Sequence, residues 1–397
     1  MLGTNRGRST ARHRWVYVTV AVAAVVLIVG TYFALSLTPQ SATPTTPPLA
    51  RLVDESRSLG AVFHPGVILS GASNSTTTFL GGIGVYVQPT GFSLPVFAAV
   101  TAGSSSLTVA NETTTIESDF LDGGVYAIGW NGSTWLIGGQ RSPGGSDEAA
   151  LVALDGGTAT NLTSRVASYF HGGGIWAIAW NGTSWLIGGN SSSTATLLAW
   201  DGGPVTDLSS RLVSHGSKPW VQLIAGNGTE TLVGGHGLFG LWTGSAYEDL
   251  LPASPFQGGG VYSAAWNGTS WLVGGGGREL VFVRGGNVTD ALTLPPAFDQ
   301  VALMVTATAH GWFVAGKGLG AEGSYAPELV FWAGSAGASP TDYSASLPSS
   351  FDGGEVQGGV PAPELGPNML LLVGEGAYNV STGYGTGALA LLQTTAA

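Results

Sequence analysis

The chain has 397 residues, 44% of them hydrophobic and only 9% charged, with 64 Gly, 20 Pro and 13 Trp. That is the composition of a turn-rich, aromatic-rich all-β protein rather than a helical one. The absence of Cys excludes disulfides, thiolate metal sites and a cysteine nucleophile, and a net charge of −11 disfavours nucleic acid as a partner.

Four of the 13 basic residues, Arg6, Arg8, Arg12 and Arg14, lie in residues 1–14, where there is no acid. The rest of the chain therefore sets nine basic residues against 24 acidic ones. Residues 15–37 follow as 23 uncharged positions, Trp15 to Leu37, long enough to cross a bilayer as a helix. The arginines on one side place the N-terminus inside, with Trp15, Tyr17, Tyr32 and Phe33 at the interfaces. A cleaved signal peptide ending near Ala34-Leu-Ser36 is the alternative, although secretory apolar cores run only about 7–15 residues. Either reading puts the bulk of the chain outside the cell. Residues 38–48 are rich in Pro and Thr and form an extended stalk, leaving 49–397 as the folded domain.

One phrase recurs within that domain: Trp130-Asn-Gly-Ser-Thr-Trp-Leu-Ile-Gly-Gly139, Trp180 to Gly189, Gly226 to Gly235 and Trp266 to Gly275. The final glycines are 50, 46 and 40 residues apart, so one supersecondary unit is copied along the chain. Each phrase is a hairpin, two apolar runs joined at Asn-Gly. The unit from Gly172 reads as four strands: Ile175 to Trp180, Trp185 to Gly189, Thr196 to Trp200 and Val205 to Leu212. Leu151 to Gly157 with Asn161 to Val166, and Glu279 to Gly286 with Val288 to Leu292, repeat the third and fourth. Four antiparallel strands per unit make one blade of a β-propeller. Trp312-Phe-Val-Ala-Gly316, Leu371 to Gly374 and Val67 to Gly71 are degenerate second strands. Seven second strands give seven blades, and six if one copy is not a blade. Arg51-Leu-Val53 matches a fourth strand and Ala388 to Leu392 a third, so both termini share the closing blade and leave no free sheet edge.

A strand, a turn, a strand ending in Gly-Gly and an aromatic-bearing outer pair resemble the kelch repeat, whose proteins are mostly binding propellers. The resemblance covers about residues 60–390 in period and rests on the Gly-Gly doublets. The Asn-Gly-Thr-Ser-Trp segment is also similar to the aspartate-box hairpin of sialidases, with Asn for the Asp and without the leading Ser.

Asn-x-Ser/Thr occurs at Asn74, Asn111, Asn131, Asn161, Asn181, Asn190, Asn227, Asn267, Asn287 and Asn379, all beyond the apolar span. The same tripeptides are good turn chemistry, so glycan acceptors and plain turns both fit. Asn111, Asn131, Asn181, Asn227, Asn267 and Asn287 are expected on the rim formed by the first-to-second and third-to-fourth turns, the hairpin rim, with Asn161 towards it. Asn74, Asn190 and Asn379 are expected on the opposite, loop rim.

The loop rim also carries Gln140 to Glu148, Lys317 to Pro327, Glu375 to Gly387 and the connections between blades. In those connections Phe170, Phe256, Phe298 and Phe351 recur and are expected in inter-blade packing, while the next residue varies: His171, Gln257, Asp299, Asp352. Constant packing beside a varied polar position is how a repeat presents a site, so these four are the candidate ligand-binding residues. His64, His171, His215, His236 and His310 lack metal spacing. Arg165 with Arg211, and Trp135, Trp185 and Trp271, are periodic and read as structural. No catalytic, phosphate-loop or dinucleotide motif is present, so no metal or cofactor is expected.

The sequence favours a membrane-anchored extracellular propeller binding a surface glycan or protein. Two other readings stand beside it. One is a purely structural component of the cell surface. The other is a sialidase-like glycoside hydrolase or lyase in which Asp299, Asp352, Glu355 and Glu328 converge.

Overall fold

The computed structural model describes residues 51–87, 92–103, 107–243, 246–298, 300–319, 325–334, 338–366, 368–377 and 385–394. The expected membrane span, the stalk, Asp299 and Asn379 lie outside them. Among the described residues no helix is long and apolar enough to cross a membrane.

Seven four-stranded antiparallel sheets follow one another along the chain. Blades 1 to 6 occupy 67–111, 124–161, 175–207, 223–249, 261–293 and 301–342. Blade 7 combines three C-terminal strands from 355–393 with the N-terminal strand Arg51–Asp54. Leu52 pairs with Leu392 and Val53 with Leu391, the expected closure. The first strand of each blade is innermost and lies against the first strand of the next, round to blades 7 and 1.

The hydrophobic core is divided into seven clusters, each between two successive blades. The layer between blades 2 and 3 is typical: Leu136, Leu151 and Phe170 meet Ile175, Trp185 and Leu198. Full burial of one such side chain contributes about 1.5–3 kcal/mol. Trp135, Trp185 and Trp271 are all buried, as are the recurrent Phe170, Phe256, Phe298 and Phe351. Phe63 and Phe120 occupy the same kind of place before blades 1 and 2. Arg165 and Arg211 also act alike, each lying over a tryptophan of the next blade, Trp200 at 6.0 Å and Trp242 at 5.8 Å.

Two strand assignments differ from expectation. Val67–Ser73 is the first strand of blade 1, and its second is Thr78–Val87, which carries its own doublet, Gly81-Gly82. The turn between them is Asn74-Ser-Thr-Thr77, so Asn74 belongs to the hairpin rim. The fourth strands are also shorter than expected, ending at Asn161 and Asp207. There the Asx oxygen accepts the N–H two residues on, from Thr163 and Ser209, and the hydroxyl of that residue bonds the third strand at Leu151 and Leu197. Asp54-Glu-Ser56, Asn111-Glu-Thr113 and Asp342-Tyr-Ser344 repeat this device. Asn111 and Asn161 therefore end outer strands and start inter-blade connections, and do not sit in hairpin-rim turns.

Candidate functional site

The Gly-Gly doublets shape one end of the channel. A Cβ on the first glycine, Gly188, would lie 2.4 Å from Val221 of the next blade. A Cβ on the second, Gly189, would lie 1.9 Å from the Gly174 carbonyl oxygen and 3.0 Å from Phe170. With the second strand drawn in so close, the inner strand accommodates one extra residue, and its register shifts between Ile175 and Ala177. Trp176 is that bulge residue, and a bulge re-aims its side chain.

Leu69, Tyr126, Tyr262, Leu303 and Gln357 are the bulge residues of blades 1, 2, 5, 6 and 7. Gln222 holds the same place in blade 4, its N–H donated to Gly234 O. All seven are half-buried. Leu69, Trp176, Gln222, Tyr262 and Leu303 line a cavity of about 370 Å³ walled by all seven inner strands. No residue lining it is charged.

A second ring surrounds the first at the same end. It consists of the residue after each Gly-Gly or its equivalent: Ile83, Gln140, Asn190, His236, Gly276, Lys317 and Glu375. All are half-buried as well. Each lies across the strand pair from the residue two before the bulge, as in Gly124↔Gln140, Val301↔Lys317 and Glu355↔Glu375.

Blades 2 to 4 make the aromatic side of this mouth. Tyr126 stacks on Trp176 at 4.3 Å, Trp176 meets Trp220 at 5.6 Å, and Trp220 meets His236 at 6.3 Å. The Trp176 indole donates to Asn190 Oδ1 at 2.8 Å, which fixes that ring and commits the Asn190 carbonyl oxygen to a structural bond. Room for these rings comes from Gly-x-aromatic segments, Gly124-Val-Tyr126, Gly174-Ile-Trp176 and Gly260-Val-Tyr262. A Cβ on Gly260 would lie 2.4 Å from the Tyr262 ring.

Blades 6 and 7 make the charged side. Lys317 Nζ is 2.9 Å from Glu355 Oε2 and lies 3.4 Å from the centre of the Tyr325 ring. Gln357 Nε2 donates to Glu355 Oε1. Glu375 faces Glu355 across the strands. Burial, reinforced by the Glu355 charge, raises the Glu375 pKa above the ordinary carboxylate value, against the Gly385 N–H and Lys317, which lower it.

Of the candidates read from the sequence, His171, Gln257 and Asp352 lie on inter-blade connections rather than in either ring. His171 pairs with Glu148, and its carbonyl accepts hydroxyls from Ser191 and Ser192 at 3.3 and 2.8 Å. It lines an open cleft of about 650 Å³ with Arg141, Glu148 and Asn161. The Gln257 amide donates to Pro252 O at 2.8 Å, and Asp352 is exposed in the turn before blade 7. The three lie on connections into three different blades, blades 3, 5 and 7. The proposed acid set is divided as well, because Ser344 Oγ holds Glu328 at 2.7 Å on the outer half of blade 6. The missed signal was the residue after the doublet, which varies while the doublet's second glycine does not. Among the described residues no group of His, Asp and Glu could hold a metal ion.

The hairpin rim is uniform by contrast. At Asn131, Asn181, Asn227 and Asn267, and at Asn74, Oδ1 accepts the N–H of the second and third residues onward and the second residue's hydroxyl. The Ser or Thr that completes each sequon is thus also a member of its turn.

No family model matches the chain, and no curated protein matches it in sequence. Solved structures match in fold. YCF48 bound to D1 peptide aligns at 12% identity over 89% of this chain and 97% of that one, TM-score 0.54. A chain of the mitotic checkpoint complex aligns at 13% over 91% and 99%, TM-score 0.53. The WD40 β-propeller domain of Doa1 aligns at 7% over 84% and 98%, TM-score 0.48. At such identities the likeness concerns the fold: the chain is a seven-bladed β-propeller.

Proposed function

We propose that this protein is a binding module that presents the mouth of its channel to a protein partner outside the cell, tethered by the span Trp15–Leu37 and the 38–48 stalk. The observation that carries this reading is the double ring of half-exposed, varied residues on a scaffold whose strand pairing and bulge recur from blade to blade. Aromatic residues with polar tips concentrate binding energy at interfaces, and Tyr126, Trp176, Trp220 and Tyr262 gather at this one opening. A structural neighbour, YCF48, is described with a bound peptide, which agrees with this use of the fold. The repeat is kelch-like in its Gly-Gly doublets. The sequons at Asn131, Asn181, Asn227 and Asn267 lie on the hairpin rim, so glycans there leave the mouth uncovered.

A hydrolase needs two carboxylates flanking the scissile bond. Here Glu355 is already paired with Lys317, which suits holding charge better than bond cleavage. The test is capture of surface proteins by cross-linking to the full-length chain in detergent micelles. Capture is expected for the wild type and Asn181→Asp and lost in Trp176→Ala. A partner retained by Trp176→Ala would overturn the site. Retention of surface polysaccharides instead of protein would move the reading to a glycan, and release of reducing ends to a hydrolase.

A further inference from the structure

Blades 4 and 7 alone carry Val-Gln at the bulge, where blades 1 and 6 read Val67-Ile-Leu69 and Val301-Ala-Leu303. Blades 2, 3 and 5 read Gly-x-aromatic at the bulge, whereas blade 4 reads Trp220-Val-Gln222 and blade 7 reads Glu355-Val-Gln357. On a ring of seven these blades stand three places apart, the largest separation the ring allows. Between them the mouth is floored by Leu69, Tyr126, Trp176, Tyr262 and Leu303. The two glutamine-bearing blades thus stand opposite each other across an apolar floor.

At blade 4, Trp220 Nε1 and Gln222 Oε1 are buried and have no hydrogen-bond partner among the described residues. Both side chains are part-exposed as wholes, so a change of rotamer brings either atom to the surface. One lacks an acceptor and the other a donor, and a peptide unit offers one of each. At blade 7, Glu355 and Glu375 are opposed among the described residues by Lys317, two carboxylates to one ammonium. Buried like charges favour a further cation, and the acidic body of the chain attracts one.

We infer that the mouth binds a peptide segment lying across the channel, its backbone held at Trp220 and Gln222 and a lysine or arginine side chain held at Glu355 and Glu375. This rests on the binding-module reading above and names the partner's chemistry. An extended chain advances about 3.3 Å per residue, so a few residues cross the opening. Apolar side chains beside the basic one rest on the aromatic floor.

The experiment selects a displayed random heptapeptide library on the full-length chain in detergent micelles. Enriched sequences are expected to pair Lys or Arg with a neighbouring apolar residue. For the best of them, Glu375→Gln should weaken binding about tenfold or more, and Trp220→Phe, which removes the indole N–H together with part of the ring, about fivefold. Glu375→Lys should turn selection toward acidic peptides. Gln357→Glu, at a half-exposed position, should strengthen binding of basic peptides and serves if the Glu375 variants do not fold. Enrichment without a basic preference, or unchanged affinity in Glu375→Gln, overturns the cation assignment and leaves a binding module standing. Failure to enrich any peptide, with capture of surface protein also lost, overturns both.

Discussion

The two rims of this propeller are built by one repeat and have opposite characters. On the hairpin rim five Asn-centred turns repeat the same three hydrogen bonds to Oδ1. On the loop rim the residue after the doublet differs in every blade, from Ile83 through Asn190 and His236 to Lys317 and Glu375. The cause is what each position must satisfy. A two-residue turn has orphan backbone donors that only a short side-chain acceptor reaches. The bulge and the residue after Gly-Gly owe the fold only their backbones, so their side chains are free to differ. In a repeat protein, then, sameness marks what the chain needs in order to fold, and difference under constant backbone marks what it presents.

That contrast can be broken at four points, from the largest effect to the smallest. Phe170, buried beneath the connection into blade 3, belongs to the constant part. Phe170→Ala should cost about 3–5 kcal/mol in chemical denaturation. Gly189→Ala joins the constant part to the varied one, since its Cβ would meet the Gly174 carbonyl at 1.9 Å beside the Trp176 bulge. It should cost about 1–3 kcal/mol and shift tryptophan fluorescence, and an unchanged spectrum would mean that the doublet does not set the bulge. Asn181→Ala should cost about 1–2 kcal/mol through the bonds from Thr183 and Ser184, whereas Asn181→Asp should keep them. Neither substitution should alter binding at the mouth.

The smallest effect is a pH dependence. Glu375 has a raised pKa, chiefly from burial, so the folded chain binds its proton more tightly than the unfolded chain. Its contribution to stability therefore declines as pH rises from the ordinary value of 4.5 through the raised one. Glu375→Gln should flatten that limb of a stability–pH curve. A limb unchanged by the substitution would place the titration elsewhere.

Much of the scaffold was legible because it repeats. Blade number, the closing pair at Leu52 and Leu392, and the burial of Trp185 and Phe170 all follow from period and apolar pattern. Blade 1 was misread because Val67-Ile-Leu-Ser-Gly71 looks like a second strand ending in Gly, and its Asn74-Ser-Thr-Thr77 turn lacks the usual Asn-Gly. The mouth was not legible because a bulge is a single inserted residue. Reading Ile175 to Trp180 as plain alternation puts Trp176 on a sheet face, when the register shift turns it to the channel. His171 and its equivalents were chosen for variation beside a constant Phe. Trp176 and Glu375 vary in the same way beside a constant Gly, and those are the positions gathered at the opening.

The clasp in blade 7 has a consequence in time. Its outer strand, Arg51–Asp54, is made long before Gly387–Gln393, the strand it pairs with. During synthesis the six earlier blades can form in order from local hairpins, but the ring stays open until Gly387–Gln393 is available. Until then the inner strands of blade 1 lack their neighbour from blade 7, and Leu59, Phe63 and Ile68 lack the blade 7 half of their core. A chain halted short of blade 7 is thus a sticky, unfinished arc, and the arrival of that strand decides whether it becomes a propeller or an aggregate.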